Sequence, residues 1–244
     1  MPQILVTRPI DQALRFAKDL ENAGVKPEKI LIDPILQINA LNATFDFSNV
    51  RGILITSKNA LSHLPTGLVE RGFPAYCVGS STTRLAFERG LVAKNMGKTA
   101  KELANALAKT SQKGLLVHVR GSFTTIDFID RFPGPELKIE NLITYHQTEQ
   151  PLKPETQNLL QTGRGVVVPL FSTRSAQSFC KMKYSWNRHT AVVISENVAK
   201  YCEKAGFGQI IVSLQPDARS MLEAIVPLMR IKLTNGARLK NWDR

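Results

Sequence analysis

Two short stretches place hydroxyl, amide and glycine residues where an apolar run ends. Residues 53–55 are apolar and lead into 56–60, Thr-Ser-Lys-Asn-Ala, and a second apolar run leads into 78–83, Val-Gly-Ser-Ser-Thr-Thr. Each polar end is followed by helix-like spacing, so each stretch is typical of half a βαβ unit. Open α/β sheets bind ligands at such strand ends, and helix N-termini there favour anions. The spacing therefore predicts a site for negatively charged groups.

Two arginines follow other apolar runs. Arg8 comes after residues 4–6, and a shift of 112 residues places it on Arg120, which follows residues 115–119. A guanidinium at a strand end can hold a carboxylate through two parallel hydrogen bonds. It can equally cap a neighbouring turn, and the sequence leaves both interpretations open.

The hydroxyl-rich stretch has a counterpart later in the chain. A shift of 116 residues places Thr56 on Ser172 and Gly90 on Gly206. Several matches at one constant shift indicate that a supersecondary unit was duplicated. The hydroxyl residues of both copies are candidates for anion binding, with ordinary helix capping as the alternative.

Two further residues have side chains that transfer protons. Tyr145 ends an apolar strand-like run, where its phenol could act as an acid or simply pack in a core. His118 lies within an apolar run, and that position favours a buried histidine over a catalytic base.

The composition excludes several classes of protein. The 244-residue chain is 43% hydrophobic and carries a formal net charge of +12, which suits an anionic ligand or nucleic acid. No apolar run is long enough for a membrane helix, and the N-terminus does not resemble a signal peptide. There is no GxGxxG motif, and Cys77, Cys180 and Cys202 form no metal-binding or CxxC spacing. We therefore expect free thiols in a reducing cytoplasm.

The elements that would position these residues alternate between strand and helix. We expect helices over 11–23, 99–107, 123–132, 154–162 and 217–229, with Thr99 and Asp217 as N-caps. Polar stretches near 37–46 and 146–154 are interpreted as linkers. They predict a discontinuous α/β domain, 1–37 plus 150–244, an inserted α/β domain, 38–149, and an active site in the cleft between them. The basic tail, 231–244, is expected to be frayed.

The order of the motifs resembles the uroporphyrinogen-III synthase family. The motifs are VTRP at 6–9, ITSKNA at 55–60, VGSSTT at 78–83, VRG at 119–121, ITYHQT at 143–148, FSTRSA at 171–176 and ISENVA at 194–199. The resemblance spans nearly the whole chain to about residue 230. It implies two flavodoxin-like or Rossmann-like parallel-sheet domains, one of them discontinuous, joined by a two-stranded linker.

The resemblance also implies an activity. The family closes hydroxymethylbilane, a linear tetrapyrrole with eight carboxylates, into uroporphyrinogen III with inversion of ring D, as a lyase of heme biosynthesis. Loss of the substrate's hydroxyl gives an azafulvene at the end of the chain opposite ring D, attack on it by the substituted carbon of ring D gives a spiro intermediate, and this fragments and recloses. The family uses no metal or organic cofactor.

Site residues follow from matching the family's motifs to this chain. Tyr145 matches the linker tyrosine and is the expected acid, while Thr82 matches a threonine of the second domain. Val198 stands where the family has a threonine, so Ser195 or Asn197 would replace that contact. The expected substrate-binding residues are Arg8, Thr56, Ser57, Asn59, Gly79, Ser80, Ser81, Thr82, Arg120, Gly121, Ser172, Thr173, Arg174, Ser175 and Ser195.

Partners and alternatives complete the expectations. The substrate would arrive from hydroxymethylbilane synthase, and we expect a cytoplasmic monomer that binds neither nucleic acid nor membrane. The alternatives are a two-domain anion-binding protein of the periplasmic type and a nucleic-acid-binding protein that uses the basic surface. Salt-dependent binding of oligonucleotides would favour the second alternative.

Overall fold

The structure is a computed structural model that describes residues 2–65, 68, 72–124, 127–132, 135–162 and 164–230. The chain divides into two compact units. The discontinuous unit comprises Met1–Gln37 and Glu149–Arg244, and the inserted unit comprises Ile38–Thr148. The tail expected to be frayed, 231–244, lies outside the described residues.

Strands and helices alternate through most of the chain. The strands are β1 (Gln3–Val6), β2 (Ile30–Ile32), β3 (Leu36–Ala40), β4 (Val50–Ile55), β5 (Pro74–Cys77), β6 (Val92–Asn95), β7 (Gly114–Gly121), β8 (Leu137–Glu149), β9 (Val166–Leu170), β10 (Thr190–Val193) and β11 (Gln209–Val212). The helices are α1 (Ile10–Asn22), α2 (Lys58–Ser62), α3 (Ser80–Glu88), α4 (Ala100–Ala108), α5 (Pro154–Gln161), α6 (Thr173–Cys180), α7 (Glu196–Ala205) and α8 (Ala218–Arg230).

Each unit is built on one sheet, one of five strands and one of six. The two orders agree over five strands when β9, β10, β11, β1 and β2 are matched with β4, β5, β6, β7 and β8. The sheet of the discontinuous unit runs β11-β10-β9-β1-β2, and its paired strands are all parallel. The sheet of the inserted unit runs β6-β5-β4-β7-β8-β3, and the pairs from β6 to β8 are parallel. The predicted α/β fold class of two parallel-sheet domains, one of them discontinuous, is confirmed.

Apolar residues on both faces of each sheet explain why these strands are buried. All five residues of β9 are buried, as are all residues of β4 except Arg51. Two apolar clusters pack on the discontinuous unit's sheet, one around Phe179 and Trp186 and one around Phe16. Such continuous apolar runs are typical of parallel strands covered by helices on both faces.

The helix ends agree with the capping signals in the sequence. Thr99 Oγ1 accepts the N–H of Glu102 at 3.1 Å, and the Glu102 carboxylate accepts the N–H of Lys98 at 3.0 Å. Asp217 Oδ1 accepts the N–H of Ser220 at 2.8 Å at the start of α8. Both predicted N-caps are therefore confirmed, and each supplies an acceptor for an otherwise unpaired donor of its first helical turn.

The two predicted linkers contain regular structure. β3 occupies the start of the first and β8 continues through Glu149 into the second. Gln150 N–H donates to Ile35 O at 2.9 Å and Leu41 N–H donates to Thr144 O at 2.8 Å, so the two segments run antiparallel. The prediction that these stretches are linkers between the two units is confirmed, and their backbone groups pair with each other as the expected two-stranded connection.

The predicted helix over 123–132 was wrong in its described part. Residues 127–132 form bends and turns, with Phe128 fully buried. Asp127 Oδ1 accepts the N–H of Ile129 at 3.0 Å. This side-chain bond offers the backbone an alternative to helical pairing, so apolar spacing alone overestimated the helix.

Within the part of the chain that the structure describes, no helix is both long and apolar enough to cross a membrane.

Candidate functional site

In each sheet, there is one point from which the strands are added first on one side and then on the other as the chain proceeds. In the inserted unit this position lies between β4 and β7, and in the discontinuous unit between β9 and β1. Ligands of open α/β sheets bind outside the carboxyl ends of the strands at such a switch point. The predicted residues Thr56 and Arg120 follow or end β4 and β7, and Ser172 and Arg8 follow β9 and β1.

The end of β4 supplies hydroxyl and amide groups. Ser57 is the N-cap of α2, and its Oγ accepts the N–H of Asn59 at 3.2 Å. Thr56 Oγ1 lies 3.1 Å from Nε2 of His118, which is fully buried in β7. The capping bond therefore uses one acceptor site of the Ser57 oxygen and leaves its O–H free to donate. The three predicted residues Thr56, Ser57 and Asn59 lie together at one strand end.

The end of β7 brings Arg120 and Gly121 to the same edge. Arg120 Nη1 donates to the carbonyls of Gly121 at 3.0 Å and Ser122 at 3.3 Å, so this arginine caps the turn that follows its own strand. Gly121 pairs with Tyr145 of β8 beside a register irregularity. A Cβ at Gly121 would lie 2.6 Å from ring atoms of Tyr145, so only glycine leaves room for the phenol ring.

Tyr145 is buried at the centre of this group. Burial raises the pKa of the Tyr145 phenol above its usual value, and its hydrogen bonds to the Ser57 and Asn59 side chains and to the Gly121 backbone act in the opposite direction. The ring of His63 lies 5.5 Å from the ring of Tyr145, centroid to centroid. The phenol is therefore protonated at neutral pH and contacts three of the predicted binding residues.

The end of β5 adds the start of α3. Gly79 is the N-cap of α3 with a φ of +81°, a conformation that disfavours other residues, and its N–H donates to Gly97 O at 2.7 Å. Ser80 and Ser81 lie in the first turn and are both exposed, whereas Thr82 is only 6% exposed. The start of α3 therefore offers two solvent-accessible hydroxyls beside a buried one.

In the discontinuous unit, Arg8 lies over an aromatic ring. Its Cζ is 3.8 Å from the centroid of Phe171, and Nη2 donates to Gln12 Oε1 at 2.7 Å. Burial lowers the pKa of Arg8 to about 10, and the charge of Arg15 acts in the same direction. The guanidinium remains charged at neutral pH, and stacking on the ring fixes the orientation of its plane.

The start of α6 carries the other predicted hydroxyls. Ser172 is the N-cap, and its Oγ accepts the N–H of Ser175 at 3.1 Å and lies 2.9 Å from the Ser175 hydroxyl. Arg174 Nη2 is 3.3 Å from Glu149 Oε1, which also accepts the Ser178 hydroxyl at 2.9 Å. Ser172 and Ser175 thus form a mutual cap, while Arg174 is paired with a carboxylate at the end of β8.

The remaining predicted residues flank these groups. Thr173 is the first residue of α6, and Ser195 is the N-cap of α7 without a side-chain capping bond. Val198, at the position where the resemblance led us to expect a threonine, is 2% exposed and packs in the apolar cluster around Phe179. The Ser195 hydroxyl is therefore available where the Val198 side chain offers no polar contact.

Three contacts at these strand ends were missed by the sequence analysis. They are the Phe171 ring beneath Arg8, the bond from Arg8 to Gln12, and the pairing of Glu149 with Arg174. A spacing of four residues on one helical stretch was available as a signal for Gln12. Phe171 and Glu149 required the strand order, which places residues of distant sequence side by side.

Two open depressions lie away from the predicted residues, both in the discontinuous unit. One of about 330 Å³ and one of about 530 Å³ are lined by residues on and around α5, for example Gln157 and Asn158. Neither contains a predicted site residue. Among the described residues, no group of three or more His, Cys, Asp and Glu side chains is placed to hold a metal ion.

Comparisons with solved structures show the fold. A uroporphyrinogen-III synthetase from Helicobacter pylori 26695 aligns with a TM-score of 0.65 and 14% identity, covering 93% of this chain and 100% of that one. A mutant uroporphyrinogen III synthase from the extremely thermophilic bacterium Thermus thermophilus aligns with a TM-score of 0.59 and 12% identity, covering 94% and 99%. A search of curated protein sequences found no significant match.

A comparison with protein-family models identifies the family. The model described as uroporphyrinogen-III synthase HemD matches residues 15–223, which is most of the chain and includes parts of both units. The matched range contains the strand ends that carry Thr56, Arg120, Tyr145 and Ser172. The chain therefore belongs to the uroporphyrinogen-III synthase family, whose members convert hydroxymethylbilane into uroporphyrinogen III in heme biosynthesis.

Proposed function

We propose that the carboxyl ends of β4 and β7 hold the hydroxymethyl-bearing end of hydroxymethylbilane and that Tyr145 is the acid that protonates its leaving hydroxyl. The observation that carries the proposal is the buried phenol of Tyr145, which lies over Gly121 and bonds to Ser57 and Asn59. A phenol in this position can donate a proton to a bound hydroxyl and then remain hydrogen-bonded as its charge changes.

The proton balance of the first step follows from this arrangement. The C–O bond of the hydroxymethyl group, at the opposite end of the chain from ring D, breaks, the departing oxygen takes the phenol proton, and water leaves. The azafulvene that remains is positively charged when its nitrogen keeps a proton, and the phenolate offers a nearby negative charge. When the macrocycle closes, the proton lost from the reacting ring returns to Tyr145, which restores the acid.

Most of the remaining catalysis consists of holding a flexible chain in one geometry. Attack at the substituted carbon gives the spiro intermediate, and fragmentation and reclosure invert the ring, so the two reacting rings must stay in position throughout. The side chains around Tyr145 also exclude water, which would otherwise recapture the azafulvene. No indispensable nucleophile is needed for this sequence.

Substrate binding rests on positive charge and hydrogen-bond donors from both units. Arg8 and Arg120 lie at the ends of β1 and β7. Hydroxyl groups lie at the ends of other strands: Thr56 after β4, Ser80 and Ser81 after β5, and Ser195 after β10. The substrate's carboxylates accept charge-assisted bonds from such groups. The proposed binding set also includes Ser57, Asn59, Gly79, Thr82, Gly121, Ser172, Thr173, Arg174 and Ser175.

The proposal also covers the source of the substrate, the location of the enzyme and its oligomeric state. Hydroxymethylbilane closes without an enzyme to isomer I, so a short path from hydroxymethylbilane synthase would limit this loss. We infer a cytoplasmic monomer, since Cys77, Cys180 and Cys202 are free thiols and each unit completes its own sheet. Light scattering on purified protein, alone and mixed with hydroxymethylbilane synthase, tests both the monomer and the hand-over.

The decisive experiment is a coupled assay with freshly made hydroxymethylbilane that resolves isomers I and III. The wild-type chain should produce isomer III, and Tyr145→Phe should lower the single-turnover rate by roughly 10²–10⁴-fold, the usual effect of losing a general acid. Tyr201→Phe, which removes a hydroxyl bonded to Gln177 in the other unit, is the matched control and should react normally.

Two outcomes would contradict the proposal. Only isomer I, formed at the rate of the buffer control, would exclude the activity for this chain. An unchanged single-turnover rate in Tyr145→Phe would remove the phenol from the mechanism while leaving the activity itself intact.

A further inference from the structure

His118 is a buried histidine that the proposed mechanism does not use. It is fully buried in β7, two residues before Arg120, and its ring packs edge-to-face against Phe128 with 4.8 Å between centroids. Its Nε2 lies 3.1 Å from Oγ1 of Thr56 at the end of β4. The imidazole therefore contacts the strand-end hydroxyl from the side that is closed to solvent.

The imidazole is neutral at physiological pH. Burial lowers the pKa of His118 to about 4, and the positive charge of Arg120 acts in the same direction. The side chains of Asn141 and Asp127 act in the opposite direction, and Asn141 faces His118 in the pairing of β7 with β8. A neutral imidazole has one N–H and one bare nitrogen, so its tautomer decides the direction of the bond to Thr56.

The two tautomers have opposite consequences for an anionic ligand. If Nε2 carries the proton, it donates to Thr56 Oγ1, and the threonine O–H is free to donate to a carboxylate. If Nδ1 carries the proton, Thr56 must donate to Nε2, and only its lone pairs remain, which repel a carboxylate.

The surroundings of the ring favour a proton on Nε2. The competing tautomer would direct its N–H at Asn141, whose side chain is close enough to act on the pKa of the ring. The geometry of that approach makes no hydrogen bond, since among the described residues both His118 Nδ1 and Asn141 Oδ1 are buried without a partner in bonding geometry. Nε2, in contrast, has Thr56 Oγ1 within bonding distance. A buried N–H without an acceptor is rarer and more costly than a buried bare nitrogen, so the proton belongs on the nitrogen that has a partner.

We propose that His118 is a positioning residue that donates from Nε2 to Thr56 and thereby turns the Thr56 hydroxyl proton toward a carboxylate of the substrate. The inference rests on the proposed function, because Thr56 must touch hydroxymethylbilane. It adds a residue that does not touch the substrate and a reason for a polar side chain at the centre of an apolar strand.

The tautomer can be measured without any turnover. Nitrogen NMR of the full chain labelled at histidine separates the two ring nitrogens, and His118→Gln identifies the resonance by its loss. We expect the Nε2–H tautomer of His118 between pH 6 and 8. Observation of the Nδ1–H tautomer, or of a doubly protonated ring at pH 7, would overturn the inference.

A double-mutant cycle tests whether His118 acts through Thr56. Thr56→Val and His118→Phe should each raise KM by about tenfold with little change in kcat, the effect expected when one hydrogen bond to a charged group is lost. The double variant should be no worse than either single variant, since both remove the same interaction. His118→Gln, which keeps an N–H donor, should restore most of the affinity.

The outcomes separate the inference from the proposed function. If Thr56→Val raises KM and His118→Phe does not, His118 does not act through Thr56. The same conclusion follows if the rise in KM of the double variant equals the product of the rises in the two single variants. If Thr56→Val leaves KM unchanged, the proposed contact of Thr56 with the substrate fails, and the inference fails with it.

His189 provides the matched control. It is 1% exposed in the other unit, and its Nδ1 accepts the N–H of Val166 at 3.2 Å. His189→Phe should lower the melting temperature and leave KM unchanged. A rise in KM equal to that of His118→Phe would show that loss of any buried histidine weakens binding through the fold, and would overturn the inference.

Discussion

The switch points of the two units share a scaffold and differ in chemistry. Both lie between corresponding strands of sheets whose orders agree over five strands, and both carry an arginine and a hydroxyl-bearing N-cap. In the inserted unit, Arg120 bonds to the carbonyls of its own turn, beside the phenol of Tyr145. In the discontinuous unit, Arg8 stacks on Phe171, and the neighbouring carboxylate, Glu149, pairs with an arginine.

The difference indicates how one scaffold supports two roles. A duplicated sheet order brings strand ends together whatever residues they carry. The inserted unit adds a phenol whose pKa is raised and a glycine that makes room for it, and we propose these groups for proton transfer. The discontinuous unit offers a fixed charge and capped hydroxyls, and we propose these groups for substrate binding. Each prediction below tests this division of roles.

The largest effect is expected from Gly121→Ala. The added Cβ would lie 2.6 Å from ring atoms of Tyr145, closer than side-chain contacts allow, so the phenol must move. Displacement of a catalytic group by about 1 Å costs roughly 10²-fold in rate, and we expect a fall in kcat of at least this size in the isomer III assay.

Gly165→Ala in the other unit is the control for Gly121→Ala. Its Cβ would meet only the Arg188 carbonyl, at 3.1 Å, and no predicted site residue. It should cost some stability and leave kcat unchanged. Normal turnover in Gly121→Ala would break the comparison, because the phenol would then have no need of its fixed position.

The second prediction concerns pH and the buried histidines. The pKa of His118 falls from 6.5 to about 4 on folding, so the stability it contributes is complete above pH 6.5 and is lost as pH falls toward 4. The full difference corresponds to about 3 kcal/mol in the free energy of unfolding. Urea unfolding at pH 7 and pH 5 should show a steeper loss for the wild type than for His118→Gln.

Carboxylates that titrate in the same range affect both proteins equally, so the difference between them isolates His118. His189→Gln gives the same comparison for the discontinuous unit, where burial also lowers the pKa of the histidine. If the free energy of unfolding falls equally in wild type and His118→Gln between pH 7 and pH 5, the imidazole is already protonated in the folded protein.

The third prediction compares the two arginines directly. Arg8→Ala and Arg120→Ala should each raise KM by roughly 10-fold to 100-fold with little change in kcat, because each removes charge-assisted bonds to a carboxylate. Lys113→Ala, which breaks an exposed ion pair with Glu136, should change neither parameter. If only Arg120→Ala has an effect, the discontinuous unit does not bind this substrate.

The sequence predicted the strand ends better than the contacts made there. Apolar runs that stop at Thr56, Ser172 and the two arginines locate the switch points, because strand length and polar ends are local features. The phenol over Gly121 and the ring beneath Arg8 depend on which strands are neighbours. The phenol contact depends on the register of β7 against β8, and the arginine contact depends on β1 lying beside β9, which is distant in sequence. No local pattern carries that information.

The candidate site shows the same limit at the level of single groups. Residues chosen as anion donors from their type include Ser57 and Ser172, whose oxygens accept bonds from their own helices. Capping and ligand binding use the same residue types at the same position, so the sequence could not separate them. His118 was correctly expected to be buried, but its bond to Thr56 became visible only with the pairing of β4 and β7.

The smallest effect is expected from deleting residues 231–244. The described part of α8 ends at Arg230 and the family match ends at residue 223, so the deletion leaves the matched region intact. The deleted segment carries Lys232, Arg238, Lys240 and Arg244 against Asp243. At physiological ionic strength, charges more than about 8 Å from the substrate are screened, and we expect kcat and KM to change less than twofold.

Ionic strength then separates long-range attraction from contact. At about 0.01 M salt the screening length rises to roughly 30 Å, so the full chain should show a lower KM than the truncated one by a few-fold. That difference should disappear at about 0.15 M, whereas the effects of Arg8→Ala and Arg120→Ala should persist. A difference in KM that survives at the higher salt concentration would mean that the tail contacts the substrate, and the discontinuous unit would then bind through more than the strand ends of β1 and β9.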